Sequence, residues 1–320
     1  MILGAGLGTR MQPLTRRWPK PALPILDEPL VIGLIRTLAV QGVEAVIVNA
    51  HAHAEILLEA LATAPIPAEL SLEPQLLGSG GGIRRAGRFL ESSRPFVVVN
   101  ADMRLDLDLS SLLAAHAQGG SMATLALRDD SRKRSFGSIG YDGAGAVRRI
   151  TSLVDLGGEV ASGLFVGVHV MDPEIFRSMP DRDAFEIMTE VYVPALRKGQ
   201  RIHTWLQPSP CEWSPVGEPR ELLETNLSAL AARSRAEPGA TFVAEDATVN
   251  GEIAPPAWVG AGAEIARGAS VGPWAVIGAG ARVAAGTRVE RALLLPGARP
   301  PAGANLSGAI AFDEEVWRDV

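Results

Sequence analysis

The sequence contains a single cysteine, Cys211, in 320 residues. An internal disulfide and a cysteine-based zinc centre are therefore excluded, and the expectation is a reducing, cytoplasmic setting in which the thiol is a small apolar group. Long apolar runs are missing as well: no window approaches the ~20 residues of a membrane helix, and Arg10 follows Met1-Ile2-Leu3-Gly4 before a stretch of signal-peptide length accumulates. There is no basic excess either. Thirty-six acidic against 30 basic side chains leave a net charge of −6, which argues against nucleic acid as the partner. The one basic run, Arg132-Lys133-Arg134, is read as a solvated loop.

What is present is a globular composition, 47% hydrophobic and 21% charged, at about twice the usual single-domain length. Up to about residue 205, short β-rich runs alternate with helical patterns, the signature of βαβ units. The predicted strands are Ala45–Val48, Leu70–Leu72, Phe96–Val99, Ala123–Ala126 and Leu164–Val168. Apolar residues three or four apart predict helices over Leu30–Val40, Ala54–Ala62, Ile83–Leu90 and Ser110–Ala117. Alternation around Asp142-Gly143 predicts a hairpin, and two further helices are expected over Ala184–Lys198 and Arg220–Arg233.

Past a Gly- and Pro-punctuated stretch near Ala236, the period changes. Ile253, Val259, Ile265, Val271, Ile277, Val283, Val289 and Leu295 recur every six residues, and a small residue follows four positions after each of the first six. Neither a 3.6-residue helix nor a two-residue alternation gives that period; a β-helix turning a corner every hexad does. The expected organisation is an α/β domain over 1–233, a linker over 234–240, a β-helix over 241–312 and a tail over 313–320. The hexad pattern resembles the left-handed parallel β-helix of bacterial acyltransferases and many nucleotide-sugar synthases.

Three segments carry chemistry. Gly4-Ala5-Gly6-Leu7-Gly8-Thr9-Arg10 brings backbone N–H groups close to an anion, and Arg10 and Lys20 supply fixed cations against phosphate charge. The spacing gives neither the G-x-G-x-x-G fingerprint nor a Gly-Lys-Ser/Thr phosphate loop. Glu73-Pro74-Gln75-Leu76-Leu77-Gly78-Ser79-Gly80-Gly81-Gly82 follows a strand and opens a helix, where ligands sit in open α/β sheets. Phe96 to Asp102 is an apolar strand ending in a carboxylate suited to Mg²⁺ shared with phosphate oxygens. Asp106 and Asp108 are read as capping or solvent-facing, and His51 and His53 as loop residues.

The linked string G-x-G-x-G-T-R, P-L-T (Pro13-Leu14-Thr15) and P-K-P (Pro19-Lys20-Pro21) resembles the signature of sugar-1-phosphate nucleotidyltransferases. The order of motifs, with a short hexapeptide tail, is most similar to the mannose-1-phosphate guanylyltransferase branch. The resemblance implies a Rossmann-like, GT-A-like mixed sheet, and Leu3, Gly4, Ala5, Gly6, Gly8, Thr9, Glu73, Gly78 and Ser79 against the nucleotide. It further implies Arg10 and Lys20 as catalytic cations, Asp102 as the metal ligand, and Asn100, Ser162 and Gly163 against the sugar. The implied reactants are a nucleoside triphosphate, with GTP expected, and a sugar 1-phosphate, with mannose 1-phosphate expected; the cofactor is Mg²⁺ and the state a homo-oligomer. Only Met1-Ile2-Leu3 is left for the first strand, so a start upstream is expected.

The pattern departs in two places. Relatives carry W-x-D-x-G, whose aspartate is a second metal ligand; this chain has Trp213-Ser214-Pro215-Val216-Gly217, with Pro215 in its place. Either Asp102 holds the ion with waters, or Glu212 or Glu218 swings in, or activity is impaired and the chain is a nucleotide-sugar-binding regulatory subunit. The E-K-P lysine of many relatives is also missing near Ile150–Val154. Acyl transfer by the β-helix would call for a histidine base, but His51, His53, His116, His169 and His203 all precede it.

Overall fold

The computed structural model describes residues 1–133 and 137–318, so Arg134 of the basic run and the last two residues of the expected tail lie outside the described residues. Contacts divide the chain into two compact units. One comprises Met1–Leu7, Pro19–Pro21 and Val31–Trp213; the other comprises Gly8–Trp18, Ala22–Leu30 and Ser214–Val320.

The first unit is built on a ten-stranded mixed sheet. Its strands are β1 (Ile2–Leu3), β2 (Val46–Ala50), β3 (Ala68–Leu72), β4 (Phe96–Asn100), β5 (Ala123–Arg128), β6 (Ser138–Tyr141), β7 (Val147–Ile150), β8 (Val154–Asp155), β9 (Ala161–Met171) and β10 (His203–Leu206). The central path runs β8-β7-β6-β9-β4-β1-β2-β3, with β5 paired to β9 and β10 to β5. Strands β4, β1, β2 and β3 are parallel, and β9 runs antiparallel to β4. Buried on both faces, β2 (Val-Ile-Val-Asn-Ala) reads as a continuous apolar run, as parallel strands do.

Helices α1 (Leu30–Val40), α2 (Ala54–Leu61), α3 (Gly78–Arg85) and α4 (Leu109–Gly119) lie where the apolar spacing put them, apart from their ends. The helix expected over Ile83–Leu90 is in two pieces: α3 takes in Gly78–Gly82 and ends at Arg85, and a short helix over Gly87–Leu90 follows. Asp108 caps α4, its carboxylate accepting from the Ser111 hydroxyl at 2.6 Å and from Ser111 N–H at 3.0 Å, and these bonds, the hydroxyl's first, draw its pKa below the ordinary value. The helix expected over Ala184–Lys198 is shorter. Helical turns occupy Met188–Arg197, while Phe185 spends its main chain on another segment: its N–H donates to Leu77 O and its carbonyl accepts from Gly80 N and Gly81 N.

The second unit holds the β-helix. Eighteen residues separate paired strands, Ala257 with Ala275 and Val259 with Ile277, so three hexads make one coil. Val259, Ile265, Val271, Ile277, Val283 and Val289 fill the interior together with the small residues Ala257, Ala263, Ala269, Ala275 and Ala281. One placement needs correcting. The six-residue spacing assigns Leu295 to the interior, but Leu294 occupies it, because the next coil is one residue shorter and Ala275 pairs with Ala292. Leu295 joins a cluster outside the prism, where Leu222, Leu223 and Leu230 of α5 (Pro219–Ala236) pack with Leu293 and Ile310. Met11 and Leu14 are buried in that same cluster, which explains why contacts group Gly8–Trp18 with the β-helix. Helix α5 also continues through residues 234–236, expected in the linker.

A buried histidine in the first unit has a consequence for stability. His169 of β9 is 2% exposed; its Nδ1 lies 3.0 Å from the Tyr192 hydroxyl, and Phe165 meets its ring edge-on. Burial lowers its pKa from 6.5 to about 3, so the folded protein holds it neutral. As pH falls below 6.5 the unfolded chain takes a proton that the folded chain refuses until about pH 3. The contribution is therefore complete above pH 6.5 and lost in between, by on the order of 1 kcal/mol per pH unit. Chemical denaturation at pH 7, 6 and 5 is expected to show this slope, and His169→Gln to flatten it; an unchanged slope in the variant would contradict the assignment.

Candidate functional site

The carboxyl ends of β1, β2 and β4 and the turn after β3 converge on a cavity of about 550 Å³. Leu3, Ala5 and Gly6 border it from the first glycine-rich segment, Asn49 and Asn100 from strand ends, Glu73, Leu76, Leu77, Gly78 and Ser79 from the second, and Ala184, Phe185 and Glu186 from the rim. Ligands of open α/β sheets bind at this position, outside the carboxyl ends of the strands.

A chain of hydrogen bonds fixes the walls. Gly4 N–H donates to Asn49 Oδ1 at 2.7 Å, Asn49 Nδ2 donates to Glu73 Oε1 at 2.7 Å, and Leu77 N–H donates to Glu73 Oε2 at 3.1 Å. Glu73 is 1% exposed and Asn49 3%, so each group has exchanged water for a protein partner. Glu73, expected against the nucleotide, borders the cavity, and both its oxygens are engaged by the protein, joining the two glycine-rich segments. Gly82 is needed for close approach: a Cβ there would stand 2.7 Å from Asn49 Nδ2 and 2.8 Å from Glu73 Oε1.

Lys20 Nζ donates to Asp102 Oδ2 at 3.2 Å, with the lysine mostly buried and the carboxylate side chain 42% exposed. The cation and the carboxylate singled out by the sequence are thus neighbours. Among the described residues no group of three or more His, Cys, Asp or Glu could hold a metal ion. Neither carboxylate considered as a replacement at Pro215 is idle. Glu212 Oε1 pairs with Arg104 at 2.8 Å. In the second unit, Glu218 closes a capping box at the start of α5 and pairs with Arg10 Nη1 at 3.0 Å.

Gly8, Thr9 and Arg10 belong to that second unit. Gly8 precedes a 3₁₀ turn over Thr9–Met11, and its carbonyl accepts from the Thr15 hydroxyl at 2.9 Å. Ser162 and Gly163, expected against the sugar, are not among the cavity-lining residues; they pair with Gly140 and Ile139 of β6. Gly167 lies further along β9, where the register shifts. Its φ is +79°, and a Cβ there would come within 2.9 Å of Asn100 Nδ2. Asn49, Gly167 and Glu186 were missed by motif reading; the polar residue ending the apolar run Val46-Ile47-Val48 was the one available signal. The basic run is not simply solvated: Arg132 pairs with Asp130 at 2.7 Å and stands 4.7 Å over the Trp213 ring, while Lys133 pairs with Asp129. The Arg132 hydrogen bond holds the Asp130 carboxyl down at about pH 2. His51 Nδ1 lies 2.8 Å from Glu73 O, and His53 stands beside Glu55 at the start of α2.

The mixed sheet, the cavity at its strand ends and the hexad coil define the class: a GT-A-like α/β fold combined with a left-handed parallel β-helix. Over residues 1–231 the chain matches the nucleotidyl transferase family, and it belongs to that family. It is 26% identical over 229 residues to the mannose-1-phosphate guanylyltransferase catalytic subunit beta of Danio rerio, covering 70% of this chain and 62% of that protein. It is 26% identical over 243 residues to the mannose-1-phosphate guanyltransferase of Aspergillus oryzae, covering 73% and 65%. The chain thus spans a little under two thirds of the length of these relatives. Among solved structures, HddC from Yersinia pseudotuberculosis shares the fold at a TM-score of 0.59 and 22% identity, covering 71% of this chain and 97% of that one. No helix among the described residues is long and apolar enough to cross a membrane.

Asn49→Ala orphans the Gly4 N–H and a Glu73 oxygen, each buried group costing about 1–3 kcal/mol. Denaturant unfolding followed by tryptophan fluorescence is expected to show a loss of at least that size. A loss under about 0.5 kcal/mol would mean that the network is incidental.

Proposed function

We propose that the chain transfers a nucleotidyl group from a nucleoside triphosphate to a sugar 1-phosphate, releasing pyrophosphate, with GTP and mannose 1-phosphate as the pair. The observation that carries the reading is the cavity walled by Leu3–Gly6 and Leu76–Ser79 in the same unit as the Lys20–Asp102 pair. Membership of the nucleotidyl transferase family supports the reaction class. The names of the Danio rerio and Aspergillus oryzae proteins support the sugar, and the HddC structure complexed with GMP-PN supports the base.

The chemistry places modest demands on the protein. A phosphate oxygen of the sugar 1-phosphate, already an anion, attacks the α-phosphorus in line; the bond from that phosphorus to the α,β-bridging oxygen breaks, and pyrophosphate leaves. No general base is required, so alignment and charge neutralisation carry the rate. Lys20 opposes the charge of the reacting phosphates, and backbone N–H groups of Gly4–Gly6 hold the triphosphate. Asn100 and Gly167 form the sugar side, with Ser162 and Gly163 further along the same strand.

The donor set fits magnesium of the kind shared with phosphates. Such an ion takes one or two carboxylates and completes its shell with phosphate oxygens and water, and Asp102 supplies one carboxylate. When bound, Mg²⁺ neutralises triphosphate charge. With Pro215 offering no side-chain oxygen, and Glu212 and Glu218 engaged by Arg104 and Arg10, Asp102 is the carboxylate ligand of this reading. The same reading includes a cytoplasmic setting and a homo-oligomer formed through the β-helix edges.

Incubation with Mg²⁺, each NTP and a panel of sugar 1-phosphates is expected to release pyrophosphate, fastest with GTP and mannose 1-phosphate. Lys20→Ala and Asp102→Asn are each expected to reduce the rate at least about 100-fold, the scale of losing one transition-state charge contact. Tight nucleotide-sugar binding without turnover of any pair would replace this reading with a regulatory subunit.

A further inference from the structure

The rim of the cavity contains a carboxylate that no motif announces. Residues 183–187 are laced onto the second glycine-rich segment: Phe185 N–H donates to Leu77 O, and the Phe185 carbonyl accepts from Gly80 and Gly81. This lacing delivers Glu186 to the cavity wall beside Gly78 and Ser79. Its Oε2 is already satisfied, accepting from the Ser79 hydroxyl at 2.5 Å and from Ser79 N–H at 3.2 Å. The Ser79 hydroxyl in turn accepts from Ile187 N–H at 3.0 Å, so the carboxylate is held from both ends of the rim. Its Oε1 lies against Gly78, close enough that a Cβ there would stand 2.7 Å away. Two lone pairs on that oxygen remain for a ligand.

We infer that Glu186 selects the nucleobase, its Oε1 accepting from the N1–H and the 2-amino group of guanine. The inference rests on the nucleotidyl transfer proposed above, in which the segment around Gly78 and Ser79 receives the base. A carboxylate can only accept. Guanine presents two adjacent donors, N1–H and N2–H₂, on its Watson–Crick edge. Uracil presents a single N–H between two carbonyls, and adenine and cytosine present an acceptor at the corresponding ring nitrogen, which a carboxylate repels. The ranking that follows is GTP first, inosine triphosphate weaker through loss of the 2-amino donor, UTP weaker again, and ATP and CTP last. Glu186 is solvent-exposed, so the discrimination comes from the hydrogen bonds guanine makes and the repulsion an acceptor meets, each on the scale of one base contact.

Equilibrium binding of GTP, ITP, UTP, ATP and CTP with Mg²⁺, measured calorimetrically on the full chain, tests this without requiring turnover. The wild type is expected to follow the stated order, with GTP ahead of ATP by about tenfold or more. Glu186→Gln keeps the shape but turns an acceptor-only group into one that also donates. It is expected to reduce the GTP-over-ATP ratio at least about tenfold. Glu190→Gln, which alters the bond from Glu186 N–H to Glu190 Oε1 and the Arg182–Glu190 ion pair but leaves the Glu186 carboxylate in place, is expected to keep the base order. An unchanged order in Glu186→Gln, an equal shift in both variants, or a wild type that binds all five alike or none would overturn the inference. Absence of pyrophosphate release with the base order intact would instead sink the transfer reaction alone.

Discussion

Glu73 buries a carboxylate almost completely, and the geometry of the cavity follows from how that charge is satisfied. A buried ion without partners is costly, so its neighbours are constrained: Asn49 must turn its amide toward Glu73, which leaves Asn49 Oδ1 to take the Gly4 N–H, and Leu77 must bring its N–H to the second oxygen. One side chain thereby sets the distance between the two glycine-rich segments. It also explains Gly82, whose missing Cβ leaves room for the Asn49–Glu73 bond. The cavity walls are thus tied together by buried polar groups before any ligand arrives, which is the condition for cheap alignment of a charged substrate.

Much of this was legible in the sequence. The alternation of β-rich and helical runs gave the α/β unit, because parallel strands buried on both faces need continuous apolar residues. The first glycine-rich string, with Lys20 and Asp102, stood out by residue type and spacing, and Lys20 and Asp102 do stand 3.2 Å apart. What escaped detection acts through the main chain. Phe185 holds the rim by its N–H and carbonyl, a service any residue could perform, and so Glu186 beside it looked like one more helix surface residue. Gly167 was hidden inside an apolar run that fitted an ordinary strand. Ser162 and Gly163 pair with β6, and the bulge beside Asn100 lies further along β9.

The β-helix gives the complementary lesson. A six-residue period is so unlike helix or strand spacing that the coil could be read almost residue by residue. The exchange of Leu295 for Leu294 could not, because three consecutive leucines, Leu293 to Leu295, present equivalent side chains and only the length of the intervening corner decides which turns inward. The same unit contains Met11 and Leu14, buried with Leu222, Leu293 and Ile310. The segment bearing Arg10 is therefore anchored to residues far along the chain, and Arg10 itself rests against Glu218.

In the nucleotidyl transfer proposed above, Asp102 is the metal carboxylate that the chain supplies. Phosphorolysis of the product tests it most directly, because it calls on the same in-line step in reverse. Phosphorus NMR of the protein with GDP-mannose, pyrophosphate and Mg²⁺ is predicted to show conversion to GTP and mannose 1-phosphate, and to show none with Asp102→Asn. GDP-mannose that binds and remains intact under these conditions would contradict the account.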